Sequence, residues 1–252
     1  MANTPRHGKG TILYFNNKNF TSLFKDSKVE TKVDVSKSSV YGLDDHTYVA
    51  GQRETKLTAS GIFEGSTAQT HDLINSALAA STQPVITWGP EGDTIGRIAK
   101  LIQGNVTKFD EMSPIGDVVK IAMDVQASGL AGGAGSQGFW LANLTARTST
   151  ANQTAVDSGI AAGTTRGGVG HVHTTVASTL TTGHQWIIQH SSAAASWADI
   201  ISFTLSTADG GTVQRSTVAG TVKRHVRATL FALTGGASKS VTSAVSFARN
   251  RV

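Results

Sequence analysis

The sequence predicts a mainly β protein with one α-helix, in two parts: sheet plus helix first, an all-β sandwich second. Three observations predict it. The 252 residues are 39% hydrophobic but only 15% charged, with 27 glycines, a balance that favours sheets over helix bundles. Apolar and polar residues alternate with a period of two in many short segments, and one stretch, after Gly65, carries helical spacing. A run of small residues at 128–138 (SGLAGGAGSQG) separates the part with the helix from the part without it.

Residues 1–10 combine Pro5, Gly8 and Gly10 with basic side chains and read as a mobile arm. Residues 11–15 read as a short strand, and 16–28 as a turn-rich stretch with Phe20, Leu23 and Phe24 left for packing. Val29, Thr31, Val33 and Val35 alternate with Glu30, Lys32 and Asp34, the pattern of a half-buried strand. The polar run from Tyr41 to Glu54 is too long and too charged for a tight hairpin turn. It predicts a loop that touches another protein rather than one that does chemistry. Its candidate assembly residues are Tyr41, Asp44, Asp45, His46, Tyr48, Gly51, Arg53 and Glu54: charges of both signs, tyrosines that can anchor an interface, and a glycine that allows a turn.

Residues 56–63 return as a strand with Leu57, Ala59 and Phe63 on one face. Ser66-x-x-Gln69 is a capping box for a helix that runs to about Ser81, with Leu73, Ile74, Ala77 and Leu78 as its apolar stripe. Gln83-Pro84 stops it. Strands follow at 85–88, 95–107 and 118–127. Gly104 marks a bulge or bend in the second, and Val119, Ile121, Met123 and Val125 share a face in the third.

The order "loop, Tyr48-Val49-Ala50-Gly51, charged residues, Lys56-Leu57-Thr58-Ala59-Ser60-Gly61-Ile62-Phe63-Glu64-Gly65" resembles the tail tube (major tail) proteins of long-tailed bacteriophages. The likeness continues through Gly116-Asp117-Val118-Val119-Lys120-Ile121 and into the C-terminal half. It implies an N-terminal tail-tube-like β-barrel or sandwich with the helix packed against it.

Beyond the Gly-rich run, strands are expected at 139–146, 169–176, 185–190, 200–205, 213–218, 225–233 and 241–248, with turns at Asp209-Gly210-Gly211 and Gly235-Gly236. The expected division is a tail tube domain at 1–130, a linker at 131–138 and a β-sandwich decoration domain at 139–252. Two pieces of the sandwich look like jelly-roll modules of carbohydrate-binding type. One is His190-Ser191-Ser192 leading to Ser196-Trp197-Ala198-Asp199, the other residues 222–227. Ala193-Ala194-Ala195 stands where such modules commonly place an Asp-Gly turn. Charge also divides: residues 1–137 hold 13 Lys and Arg against 14 Asp and Glu, net −1, and residues 138–252 hold 9 against 3, net +6.

No catalytic constellation is legible, and no catalytic, cofactor or metal residue is assigned. The absence of cysteine excludes disulfides and thiolate metal sites. His171-x-His173 places two imidazoles on one strand face, but no spacing recommends a third ligand, and two polar residues on an exposed face are the simpler expectation. Gly8-Lys9-Gly10-Thr11 lacks the spacing of a phosphate loop, no serine sits in a Gly-x-Ser-x-Gly elbow, and Asp110-Glu111 lies beside Pro114 as in a solvated turn. No signal-peptide pattern and no apolar run near ~18 residues is present, so synthesis and assembly are expected in the host cytoplasm.

The resemblance implies a structural virion protein, not an enzyme, that stacks as hexameric rings into a phage tail tube for DNA ejection. It implies as partners further copies of the chain, other tail proteins such as the tape measure, terminator and tail tip, and DNA only in passage. A neutral or acidic lumen suits that role, because cationic walls would grip phosphates. The alternative is a carbohydrate-binding β-sandwich for host-surface adsorption, with Trp140, Trp186 and Trp197 as possible sugar platforms or, more simply, as core.

Overall fold

Alternation of apolar and polar side chains carries most of the described residues into antiparallel strands. The computed structural model describes residues 8–38, 48–64, 70–128, 135–159, 166–206 and 211–250. In chain order come β1 (Ile12–Phe15) and β2 (Lys18–Asn19), joined through Asn16, a residue type that tolerates its φ of 50°. Then follow β3 (Phe24–Lys37), β4 (Tyr48–Ile62), α1 (Thr70–Ala79), β5 (Val85–Gly89), β6 (Ile98–Met112) and β7 (Lys120–Ala127). The rest comprises β8 (Ser136–Arg147), β9 (Ala151–Asn152), β10 (Val156–Asp157), β11 (Gly168–Ser191), β12 (Ala198–Leu205), β13 (Thr212–Val218) and β14 (His225–Arg249). The mainly β class with one helix holds; the capping box at 66–69 lies outside the described residues.

Two units form, and they do not follow the expected division at 131–138. One collects residues 1–22, 84–103 and 129–252; the other collects 23–83 and 104–128. Pairing gives the reason. β8 begins at Ser136 and lies antiparallel to the first part of β6, from Ile98↔Phe139 to Leu101↔Ser136, so the supposed linker supplies ladder residues. β6 continues through β5 and β1 to β2 in the same sheet. Segments from both ends of the sequence thus build one unit.

In that larger unit β11 and β14 run antiparallel along their length and merge what the sequence presents as four separate strands. Gly235 is not a turn: a Cβ there would lie 2.2 Å from the Thr179 carbonyl oxygen, so glycine serves close backbone approach. Register shifts between Thr174 and Trp186, together with positive φ at Thr179 and Gly183, bend the pair. The bend brings both halves onto one core containing Val172, Trp186, Ile188, Phe203, Leu230, Val245 and Phe247. Full burial of each such side chain contributes about 1.5–3 kcal/mol. Arg147 seals this core, its guanidinium 5.1 Å from the Trp186 ring centre and bonded to the Ser243 carbonyl at 3.0 Å. On the opposite face of the shared sheet a second core gathers Tyr14, Ala99, Leu101, Trp140, Val169, Ala244 and Ala248.

The smaller unit is a four-stranded sheet in the order β3, β4, β7, then the second part of β6. Leu57, Ala59, Val106, Ile121, Met123 and Val125 are buried on one face, as the alternation predicts. Helix α1 buries Ile74, and its His71 meets Phe63 and Phe109 edge-on and tilted, with ring centres 5.2 and 5.8 Å away. Asp110 and Glu111 belong to β6 rather than to a turn; Lys108 pairs with Asp110, and His71 Nδ1 lies 2.5 Å from Glu111. The bulge expected at Gly104 falls instead between Val106 and Lys108. At Gly104 a Cβ would lie 2.1 Å from the Gln126 carbonyl oxygen, which accounts for the glycine.

Candidate assembly surface

β3 and β4 pair from Phe24↔Gly61 out to Lys37↔Tyr48, but β7 covers β4 only from Lys56 to Ile62. The outer part of the hairpin, residues 31–37 with 48–55, is therefore a two-stranded ribbon. Its alternation is that of a covered strand, yet Val33, Val35, Tyr48 and Val49 are 47%, 63%, 60% and 57% exposed. Val35 faces Ala50 and Lys37 faces Tyr48 across the ladder, which puts Val35, Ala50 and Tyr48 on one side of the ribbon. A lone two-stranded ribbon is marginal in water, and exposed apolar side chains in a row mark a contact surface.

The expected assembly residues divide here. Tyr41, Asp44, Asp45 and His46 lie outside the described residues. Tyr48, Gly51, Arg53 and Glu54 lie on β4, not in a loop. Their partners explain the correction. Glu54 stands opposite Lys32 and Arg53 opposite Val33, so the mixed charge that looks like a loop is half of a cross-strand pattern. Gly51 sits at the register shift between Val33 and Val35, where a Cβ would come within 3.2 Å of the Asp34 carbonyl oxygen. Sequence reasoning missed Val33, Val35 and Val49, reading the first two as core. Nothing local distinguishes a strand covered by its own fold from one left for a partner.

The polar face of the four-stranded sheet carries Lys28, Lys32, Lys56, Lys108 and Lys120 among Asp26, Glu30, Asp110 and Asp124, with Asp117 in the turn before β7. Most are paired: Lys28 and Lys32 with Glu30 at 2.8 and 3.0 Å, Lys56 with Asp124 at 2.7 Å, and Lys120 with Asp117 at 2.6 Å. Hydrogen bonds from Lys28 and Lys32 hold the Glu30 carboxyl down at about 2, and the bond from Lys120 lowers Asp117. Lys32 and Lys108 are raised in turn by Glu30 and Asp110. The result is a wall of alternating sign. The sheet also ends in two strands with ladder partners on one side only among the described residues, β3 and the second part of β6.

The histidine pair is not on an exposed face. His171 and His173 are 1% and 0% exposed, because β1 and β5 cover that side of β11. Among the described residues no three His, Asp or Glu side chains converge as metal ligands. Trp140 and Trp186 are fully buried, and the Arg227 guanidinium lies 4.2 Å from the ring centre of the half-buried Trp197. The polar neighbours of that stack pair with each other, Arg227 Nε to Gln189 at 2.9 Å and Gln189 Nε2 to Asp199 at 2.7 Å.

No family model and no curated protein matches the sequence. Among solved structures the chain is similar to a protein of the virion of a native gene transfer agent particle, at 11% identity and a TM-score of 0.44, over 54% of this chain and 98% of that one. It is similar to the SPP1 Dit protein, described as a paradigm of hub adsorption apparatus in phages infecting Gram-positive hosts, at 14% identity and a TM-score of 0.36, over 96% and 99%. It is also similar to the SPP1 tail tube protein, at 9% identity and a TM-score of 0.41, over 49% and 76%.

Proposed function

We propose that the chain is a structural subunit of a virion tail, which joins copies of itself into stacked rings and so forms a tube that DNA traverses on ejection. The observation that carries this reading is the smaller unit's sheet. It has two edges open to further strands, and a ribbon whose apolar side is left uncovered. Open edges invite pairing with another chain, and a closed ring of copies removes them. The sequence resemblance implies six copies per ring, with the tape measure, terminator and tail tip proteins as further partners. The sign-alternating wall suits a lumen: each ammonium has a carboxylate beside it, so passing phosphates meet no bare cationic track.

The test is a chain with Val33→Ser, Val35→Ser and Tyr48→Ser, compared with wild type by sedimentation and by circular dichroism. These side chains are exposed, so the variant keeps its β spectrum. It is expected to sediment as a monomer where wild type sediments as large assemblies. A variant that assembles like wild type removes the ribbon from the interface, and wild type that stays monomeric overturns the reading itself.

A further inference from the structure

Within the larger unit, the strand path from β13 through β11, β14, β8, β6, β5 and β1 to β2 curls until its two ends meet. They meet without a ladder. Instead, side chains cross the seam: Thr87 of β5 touches both His171 and His173 of β11, Asn16 bonds His173, and Asn17 Nδ2 donates to the Gly211 carbonyl at 3.2 Å. The seam is buried and has one neutral proton arrangement. His173 Nδ1 is 2.6 Å from the Asn16 carbonyl oxygen, which only accepts, so Nδ1 carries the hydrogen. Nε2 is then bare and takes the Thr87 hydroxyl proton across 2.7 Å. With that proton committed, the Thr87 oxygen accepts from His171 Nδ1 at 3.1 Å. Of these bonds, the one from Thr87 to His173 Nε2 depends on a neutral ring, whereas the Nδ1–H donors of both rings survive protonation.

We propose that this seam is an acid-opened latch, in which protonation of His173 releases β1, β2 and β5 from β11. A proton added at His173 Nε2 turns the acceptor of the Thr87 hydroxyl into a second donor facing it. Around His173 the Asn16 carbonyl is the one group that favours the charge, and burial outweighs it. Tyr14 of β1 stacks on His173 with ring centres 5.5 Å apart, and its hydroxyl is already given to Asp93 at 2.9 Å. Asp93 also accepts the Leu144 amide at 2.7 Å. Arg215 of β13 stands opposite His171 and opposes a second positive charge, while β14 presents Ala244 and Ser246. Only the Ile86 backbone of β5 favours a charge on His171. Burial lowers His173 from 6.5 to about 4, and it also holds His171 well below the ordinary imidazole range. The sign follows: the opened or unfolded state binds the proton more tightly, so seam stability is complete above about pH 6.5 and falls as pH drops towards 4.

The experiment is hydrogen–deuterium exchange on the full chain between pH 7.5 and 4.5, corrected for the intrinsic pH dependence of exchange. Amides of residues 12–20 and 85–89 are expected to lose protection by at least roughly ten-fold while those of β8 keep theirs. His173→Gln, which retains a donor and an acceptor, is expected to flatten the change, and His184→Gln, placed in a separate bond to Thr174, to leave it intact. Seam amides that stay protected at pH 4.5 overturn the proposal, and so does loss of protection together with β8. If His173→Gln does not fold, the wild-type comparison of seam against β8 decides alone.

Discussion

Gly104 and Gly235 show what a single residue type says and does not say. Both read as breaks in strands, yet each sits inside one because a neighbouring backbone leaves no room for Cβ. Gly104→Ala would place its methyl carbon 2.1 Å from the Gln126 carbonyl oxygen, and backbone cannot swing aside as a side chain does. The expected loss is about 1–3 kcal/mol, read as a lower midpoint in urea with an unchanged slope. Unchanged stability would mean that β6 and β7 separate there at no cost. The buried histidines teach the complementary lesson. Their spacing puts them on one face of β11, as read, but the strands that bury that face come from residues 12–19 and 85–89. No property of the segment 168–176 announces them.

At the scale of elements, alternation places most strands within a few residues, because a strand half-covered by its own sheet must alternate. It fails at two kinds of place. β11 and β14 are bent but unbroken, since a register shift disturbs the pattern as a turn does while keeping the ladder. The β3–β4 ribbon is the other: Arg53 and Glu54 face the cross-strand partners Val33 and Lys32, which lie far earlier in the chain. The division into units was illegible for the same reason, because it depends on the pairing of β6 with β8. A chain ending after Ser128 loses β8 and with it Trp140, against which Tyr14 packs edge-on at 5.5 Å. Residues 12–19 and 85–103 are then expected to be cut rapidly by protease or to drive aggregation. A soluble, protease-resistant fragment of that length would contradict the shared sheet.

For the whole molecule, the proposed assembly accounts for two features at once. It would cover the apolar ribbon and pair the sheet edges that have ladder partners on one side only among the described residues. The paired wall beside them keeps its lysines matched by carboxylates, which fits passage of a polyanion without adhesion. The basic residues concentrated in 138–252 are partly taken inward, Arg147 over Trp186 and Arg249 onto the carbonyls of Val222, Lys223 and Arg224. Two of the nine cations of that half are therefore partly withdrawn from the surface. The most direct measurement is electron microscopy of the purified full-length protein at neutral pH. The account predicts rings or hollow tubes with a regular axial repeat. A uniform field of monomers at concentrations where wild type is soluble and folded would contradict it.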